Sequence, residues 1–139
     1  MKPTLSQLIA RVESNNCKQA VRHEPGFTKY VTARAVGNCI AAFKAKGAYM
    51  NKATATEICK MSFGLYQIMG ENIYTVCEYK GTIFDFVADE DAQLLAFAKY
   101  CFNRKILYPL NEILNDKAKR EHFALRYNGS RAYAETLMQ

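Results

Sequence analysis

Two carboxylates and one apolar, glycine-bearing run have the residue types and spacing to do chemistry in this sequence. Glu13 follows Leu5, Leu8, Ile9 and Val12, which recur at helical spacing, and Asn15-Asn16 then breaks the pattern. A carboxyl is thereby placed near a helix end, where the chain leaves the core. Held against an apolar wall, such a group resists ionising and suits general acid work. Taken alone, the residues favour a plainer meaning, a surface glutamate beside Arg11. Glu24 precedes Pro25-Gly26, a turn signal, and the proline biases it toward extended backbone. It reads equally as a second active-site carboxylate or as a salt-bridged loop residue. Glu57, in a mixed, threonine-rich stretch, is a weaker third candidate. The run Lys60 to Ile73, KMSFGLYQIMGENI, holds Gln67, an amide set among apolar neighbours that must find a partner in protein, water or ligand. Gly64 and Gly70 each cost about 1 kcal/mol against alanine inside a helix, so packing or a ligand must justify them.

The elements that position these residues are mostly helical in pattern. Thr4 or Ser6 caps a first helix that ends near Glu13. Residues 20–29 read as loop or extended chain. Val36, Cys39, Ile40 and Phe43 predict a helix from Thr32 to Lys46, stopped by Gly47. Residues 48–60 read as a small hairpin or irregular lobe. Ser62 looks like the N-cap of a helix carrying both glycines, whose apolar face runs on to Gly81. Residues 82–87 form a short hydrophobic turn. Asp89-Glu90-Asp91 fit the acidic first turn of a helix continuing through Gln93, Leu94, Phe97 and Cys101. Further helices are predicted from Leu107 to Leu114, beginning at Pro109, then from Lys117 to Tyr127 and from Arg131 to Met138.

With 139 residues, 50% of them hydrophobic and 23% charged, the sequence suits one globular domain spanning residues 1–139. The net charge of +6 comes from scattered lysines and arginines without a nucleic-acid motif, so a nucleic-acid partner is not expected. Five cysteines without a Cys-x-x-Cys pair read as free, mostly buried thiols. His23 and His122 lie far apart, and helix-start chemistry accounts for the acidic triplet, so neither a metal ion nor a cofactor is expected. The first residues lack the apolar core of a signal peptide, which predicts synthesis in the cytoplasm.

Several blocks then carry a resemblance. Ser62-Phe63-Gly64-Leu65-Tyr66-Gln67-Ile68-Met69-Gly70 resembles the S-x-G-L-M-Q-x-M-G segment of soluble lytic transglycosylases and goose-type lysozyme relatives. Val12-Glu13-Ser14 resembles that family's E-S pair, Ala20 to Phe27 its A-x-R-x-E-P-x-aromatic run, and Ala55-Thr56-Glu57 the short segment that leads into the glycine stretch. Arg126-Tyr127-Asn128-Gly129 is similar to its A-Y-N-x-G, although the glycine follows the asparagine directly. Tyr66 stands where methionine is usual.

The resemblance implies a mainly α, lysozyme-like domain. Its groove would lie between the first helix, the glycine-bearing helix and the Tyr127 turn. It implies a muramidase acting on the β-1,4 bond between N-acetylmuramic acid and N-acetylglucosamine, with Glu13 as general acid. Ser62, Gly64, Tyr66, Gln67 and Met69 would hold the glycan, and Tyr127 and Asn128 would face Glu13. In a hydrolase, Glu24, or Glu57 as the weaker candidate, would activate water, the two carboxylates standing about 6.5–9.5 Å apart. In a lytic transglycosylase, of a virion or a secretion system, Glu13 alone would serve as acid and then base, giving a 1,6-anhydro end. A binding module without catalysis is the third alternative. Peptidoglycan is the implied partner of a monomeric phage-type endolysin that reaches the wall after holin-type or lysis-dependent release, without stable membrane insertion.

Overall fold

The structure, a computed structural model, describes residues 3–106, 110–113, 115–129 and 133–138. It is mainly helical with one small sheet. The first helix, α1 (Leu5–Ser14), starts where the Thr4 hydroxyl accepts from the Gln7 amide while the Gln7 side chain accepts from the Thr4 N–H. This reciprocal cap satisfies two otherwise orphaned donors. The helix stops at Asn15 and Asn16, with φ of 53° and 63°. Asparagine tolerates this left-handed backbone better than most residues. The apolar face of α1 is buried through Leu5, Leu8, Ile9 and Ala10, so Glu13 emerges one turn beyond the core.

Residues expected to be loop or extended form β1 (Val21–His23) followed by a 3-10 turn (Pro25–Tyr30). Thr32 caps α2 (Ala33–Ala45), as the spacing predicts. The carboxylate of Glu71, itself buried, accepts from both the N–H and the hydroxyl of Thr32.

Residues 48–60 are not a hairpin. They hold α3 (Lys52–Cys59), capped by the Asn51 side chain, with Ala55, Ile58 and Cys59 buried. Threonine-rich composition masks a helix here because tertiary burial outweighs weak propensity.

The hairpin lies one step later, where a glycine-bearing helix was predicted. β2 (Met61–Phe63) pairs antiparallel with β1 and with β3 (Ile68–Met69), giving the order β1-β2-β3. Gly64 at φ +83° and Gln67 at φ +50° rule out a continuous helix. A side chain at Gly64 would also place its Cβ 2.5 Å from Gln93 Oε1. Ser62 therefore caps nothing; its hydroxyl donates to Gln67 Oε1 at 2.7 Å across the hairpin.

Only α4 (Gly70–Tyr74) is helical in this region, and it begins at the second glycine. There the backbone packs so closely on the Ile58 carbonyl of α3 that no Cβ fits.

The predicted turn at 82–87 is instead α5 (Ile83–Ala88), with a reciprocal Thr82–Asp85 cap. The acidic triplet behaves as predicted: Asp89 caps α6 (Glu90–Asn103) by accepting from the Ala92 N–H. Of the helix expected over 107–114, α7 (Leu110–Ile113) is seen, while Leu107, Pro109 and Leu114 lie outside the described residues. α8 (Lys117–Asn128) ends at Gly129 in the left-handed conformation. α9 (Tyr133–Thr136) is the described part of the last predicted helix, whose Arg131 lies outside the described residues. Among the described residues, no helix is long and apolar enough to cross a membrane.

The core joins α1, α2, α6 and α8 through Ile9, Cys39, Phe97 and Phe123, together with Leu137 just past α9, all wholly buried. Its cysteines are free thiols. Burial pushes Cys39 up to about 11 and Cys59, Cys77 and Cys101 up to about 12, while Cys17 is exposed. A thiol reagent at pH 8 is therefore expected to modify one cysteine in the native protein, Cys17, and all five after denaturation. Rapid labelling of more than one native thiol would contradict this packing.

Candidate active site

Six elements of the chain enclose a cleft of about 320 Å³. Glu13 enters from the last turn of α1, and Arg22 and Glu24 from β1 and its exit. The β2–β3 hairpin contributes Ser62, Tyr66, Gln67 and Met69. Asn72 of α4 and Tyr100 of α6 fill one side, and Tyr127 and Asn128 close the cleft at the end of α8. The predicted groove exists, with the hairpin standing where a glycine-bearing helix was expected.

Glu13 is half-buried and fixed at two points. The Tyr133 hydroxyl donates to its Oε1 at 2.7 Å. The Arg22 guanidinium donates from Nη2 to its backbone carbonyl at 3.1 Å. The other arm of Arg22 lies 3.9 Å from Glu24 Oε1, so one cation stands between the segments that carry the two carboxylates.

Behind Glu13 the wall is aromatic. Tyr127 stacks on Phe123 at 5.2 Å and on Tyr133 at 6.2 Å, and meets Tyr100 edge-on at 5.5 Å. Burial first, and then the nearby Glu13 charge, raises the Tyr127 hydroxyl well above the ordinary tyrosine range. Burial and then the hydrogen bond to Glu13 do the same to Tyr133. Both phenols therefore stay protonated and act as donors.

The structure redistributes some expected roles. Tyr127 lines the cleft, but its hydroxyl donates to the Tyr66 carbonyl at 3.0 Å, and the phenol on Glu13 belongs to Tyr133. Gln67 also lines the cleft, yet its amide is engaged within the protein. Nε2 donates to the carbonyls of Gly64 and Ala20 at 2.9 and 3.2 Å, and Oε1 accepts from Ser62. Ser62 and Gln67 thus build the hairpin wall. Tyr66 is buried and stacks on Phe97 at 4.6 Å, supporting that wall from behind.

Gly64 is not among the lining residues; it sits in the turn against Gln93. Glu57 also lies outside the cleft. It pairs with Lys60 at 2.7 Å and His23 at 3.4 Å, and the Lys60 contact leads in lowering its pKa.

Sequence reasoning missed Tyr133, Asn72 and Tyr100. Tyr133 stands 120 positions from Glu13, and no local pattern announces such a pair. Asn72 was within reach: it falls just after the glycine segment, on the helix that Gly70 opens. Among the described residues no group of His, Cys, Asp and Glu is placed to hold a metal ion.

A mainly helical chain with a small antiparallel sheet, an acid at a helix end and an aromatic-backed cleft defines the lysozyme-like class of glycan-cleaving enzymes. The N-acetylmuramidase family model matches residues 7–137, and the chain belongs to that family; it is a peptidoglycan-cleaving glycosidase. Among curated proteins, the endolysin of Enterobacteria phage PRD1 is 32% identical over 146 residues, covering 100% of this chain and 95% of that protein. No solved structure matches the chain.

Proposed function

We propose that the protein is a phage-type endolysin that hydrolyses the β-1,4 bond from N-acetylmuramic acid to N-acetylglucosamine, with Glu13 as general acid and Glu24 as general base. The observation that carries this reading is the shared cleft: Glu13 and Glu24 line one cavity and are tied together through Arg22. Oε1 of Glu13 accepts from Tyr133, which leaves Oε2 to carry the proton toward the glycosidic oxygen. As that oxygen takes the proton, the bond to the anomeric carbon breaks and positive charge develops on the sugar. Glu24 accepts a proton from a water molecule, and the resulting hydroxide oxygen bonds to the anomeric carbon. The two carboxyl groups then exchange the net proton through solvent to restore the starting state.

The enzyme acts as one domain and as a monomer on glycan strands, with no nucleic acid involved. It reaches the wall once the inner membrane has been opened. The cleft's combination of charged, amide and aromatic groups suits a sugar chain with hydroxyl and acetamido substituents.

Digestion of peptidoglycan in heavy-oxygen water tests the chemistry. Reducing ends carrying one solvent oxygen are expected, and Glu24→Gln should slow their release about a hundredfold. Anhydro ends without solvent oxygen, released at an undiminished rate by Glu24→Gln, would replace hydrolysis with intramolecular attack by the sugar's own C6 hydroxyl.

A further inference from the structure

We infer that Tyr133, from the far C-terminal helix α9, is the positioning residue of the catalytic acid: its hydroxyl locks one oxygen of Glu13 so that the other is presented to the glycosidic bond. The inference rests on the reading of Glu13 as the acid.

Three observations carry it. The 2.7 Å contact to Oε1 is the one side-chain hydrogen bond to the Glu13 carboxyl among the described residues. The Tyr127 phenol, which also lines the cleft beside Glu13, is turned away to the Tyr66 carbonyl. Finally, the Tyr133 ring is 8% exposed and stacks on Tyr127 with the planes 18° apart, so the hydroxyl is held by its own packing. Burial, followed by the contact to Glu13, raises the Tyr133 phenol above the ordinary tyrosine range, which keeps it a donor through the catalytic pH range.

A carboxyl at the end of a helix has free rotation about its last torsions unless something restrains it. Arg22 restrains the backbone of Glu13, not its carboxyl. Without Tyr133 the acid would sample orientations in which neither oxygen meets the scissile bond, and proton transfer requires close alignment. Tyr133 makes this contact from α9, beyond the Arg126-Tyr127-Asn128-Gly129 block. The last helix is thus part of the catalytic apparatus as well as a lid on the core.

Tyr133→Phe and Tyr133→Leu, compared with wild type on peptidoglycan, test the inference. Phenylalanine keeps the stack on Tyr127 and removes only the hydroxyl. The expected result for Tyr133→Phe is a kcat lower by about tenfold, KM within twofold and an unchanged melting temperature. Tyr133→Leu should show the same loss in kcat together with a lower melting temperature. A Tyr133→Phe protein with wild-type kcat would overturn the inference, since only the ring would then matter. So would a loss that appears in KM, or that follows the melting temperature across the two variants. Glu13→Gln run alongside separates the two readings: if it also clears the wall, the assignment of the acid has failed, whatever Tyr133 does.

Discussion

Glu13→Gln is expected to lower peptidoglycan clearance by about a hundredfold to ten-thousandfold, the usual contribution of a positioned general acid. The structure makes this substitution a clean one. Glutamine has the same shape, and its side-chain carbonyl oxygen can accept the Tyr133 hydroxyl as Oε1 does. The Arg22 contact is to the backbone carbonyl of residue 13, so it survives any side-chain change. The core face of α1 through Leu5, Leu8 and Ile9 is untouched. What disappears is the transferable proton. Turbidity loss of a wall suspension measures the effect, and thermal unfolding checks that the fold is intact. A Glu13→Gln protein that clears as fast as wild type would reduce the chain to a glycan-binding module or move the acid elsewhere. Inactivity joined to a large fall in melting temperature would mean that Glu13 supports the fold instead.

The helices were legible in the sequence wherever a capping residue and a 3.6-residue apolar pattern coincided, as at Thr4, Thr32 and Asp89. The hairpin was not, because its strands are three and two residues long and contain no alternation to read. Ser62, a dense apolar run and two glycines mimic a capped helix at that length. The features that decide the matter are a positive φ at Gln67, held by hydrogen bonds from its own amide, and a close approach of Gln93 to Gly64. Both depend on contacts that only the folded chain creates. α3 was hidden for the opposite reason, since threonines obscured a helix that burial of Ala55, Ile58 and Cys59 stabilises.

The site divides in the same way. Glu13, Glu24, Tyr127 and Asn128 were found through short sequence blocks, and all of them line the cleft. The assignment of Gln67 to the glycan overlooked that a turn amide with three partners has little left to offer a ligand. Tyr133 could not be found at all, because a contact between the first helix and the last is a product of topology. Sequence blocks report which side chains a family uses; they do not report which of two neighbouring tyrosines faces the acid.

Gln93→Leu is the substitution expected to cost the most stability. Gln93 was visible in the sequence only as one position in the run of α6. In the fold it is 1% exposed and joins three segments. Its Oε1 accepts from the Leu65 N–H at 2.8 Å, and its Nε2 donates to the carbonyls of Lys18 and Phe86 at 3.0 and 2.9 Å. Leucine is similar in size but satisfies none of them, leaving the Leu65 N–H and the Lys18 carbonyl without a partner beside the core, while the Phe86 carbonyl keeps the Asp89 N–H. At about 1–3 kcal/mol for each of these two groups, the loss is about 2–6 kcal/mol. Domain stability is commonly about 5–15 kcal/mol, so the variant approaches the limit of folding. Urea unfolding should show a midpoint lower by about 1 M or more; a shift of a few tenths molar would mean that the two groups find other partners. The loss should also reach activity below the unfolding transition. Lys18 lies between α1 and β1 while Leu65 lies in the hairpin turn, so this amide adds to the hydrogen bonds from Gly64 and Gln67 to the Ala20 carbonyl that join the exit of the Glu13 helix to the hairpin. Loosening one of these ties lets the hairpin shift relative to Glu13, and the acid of the proposed mechanism then loses part of its alignment with a bound glycan.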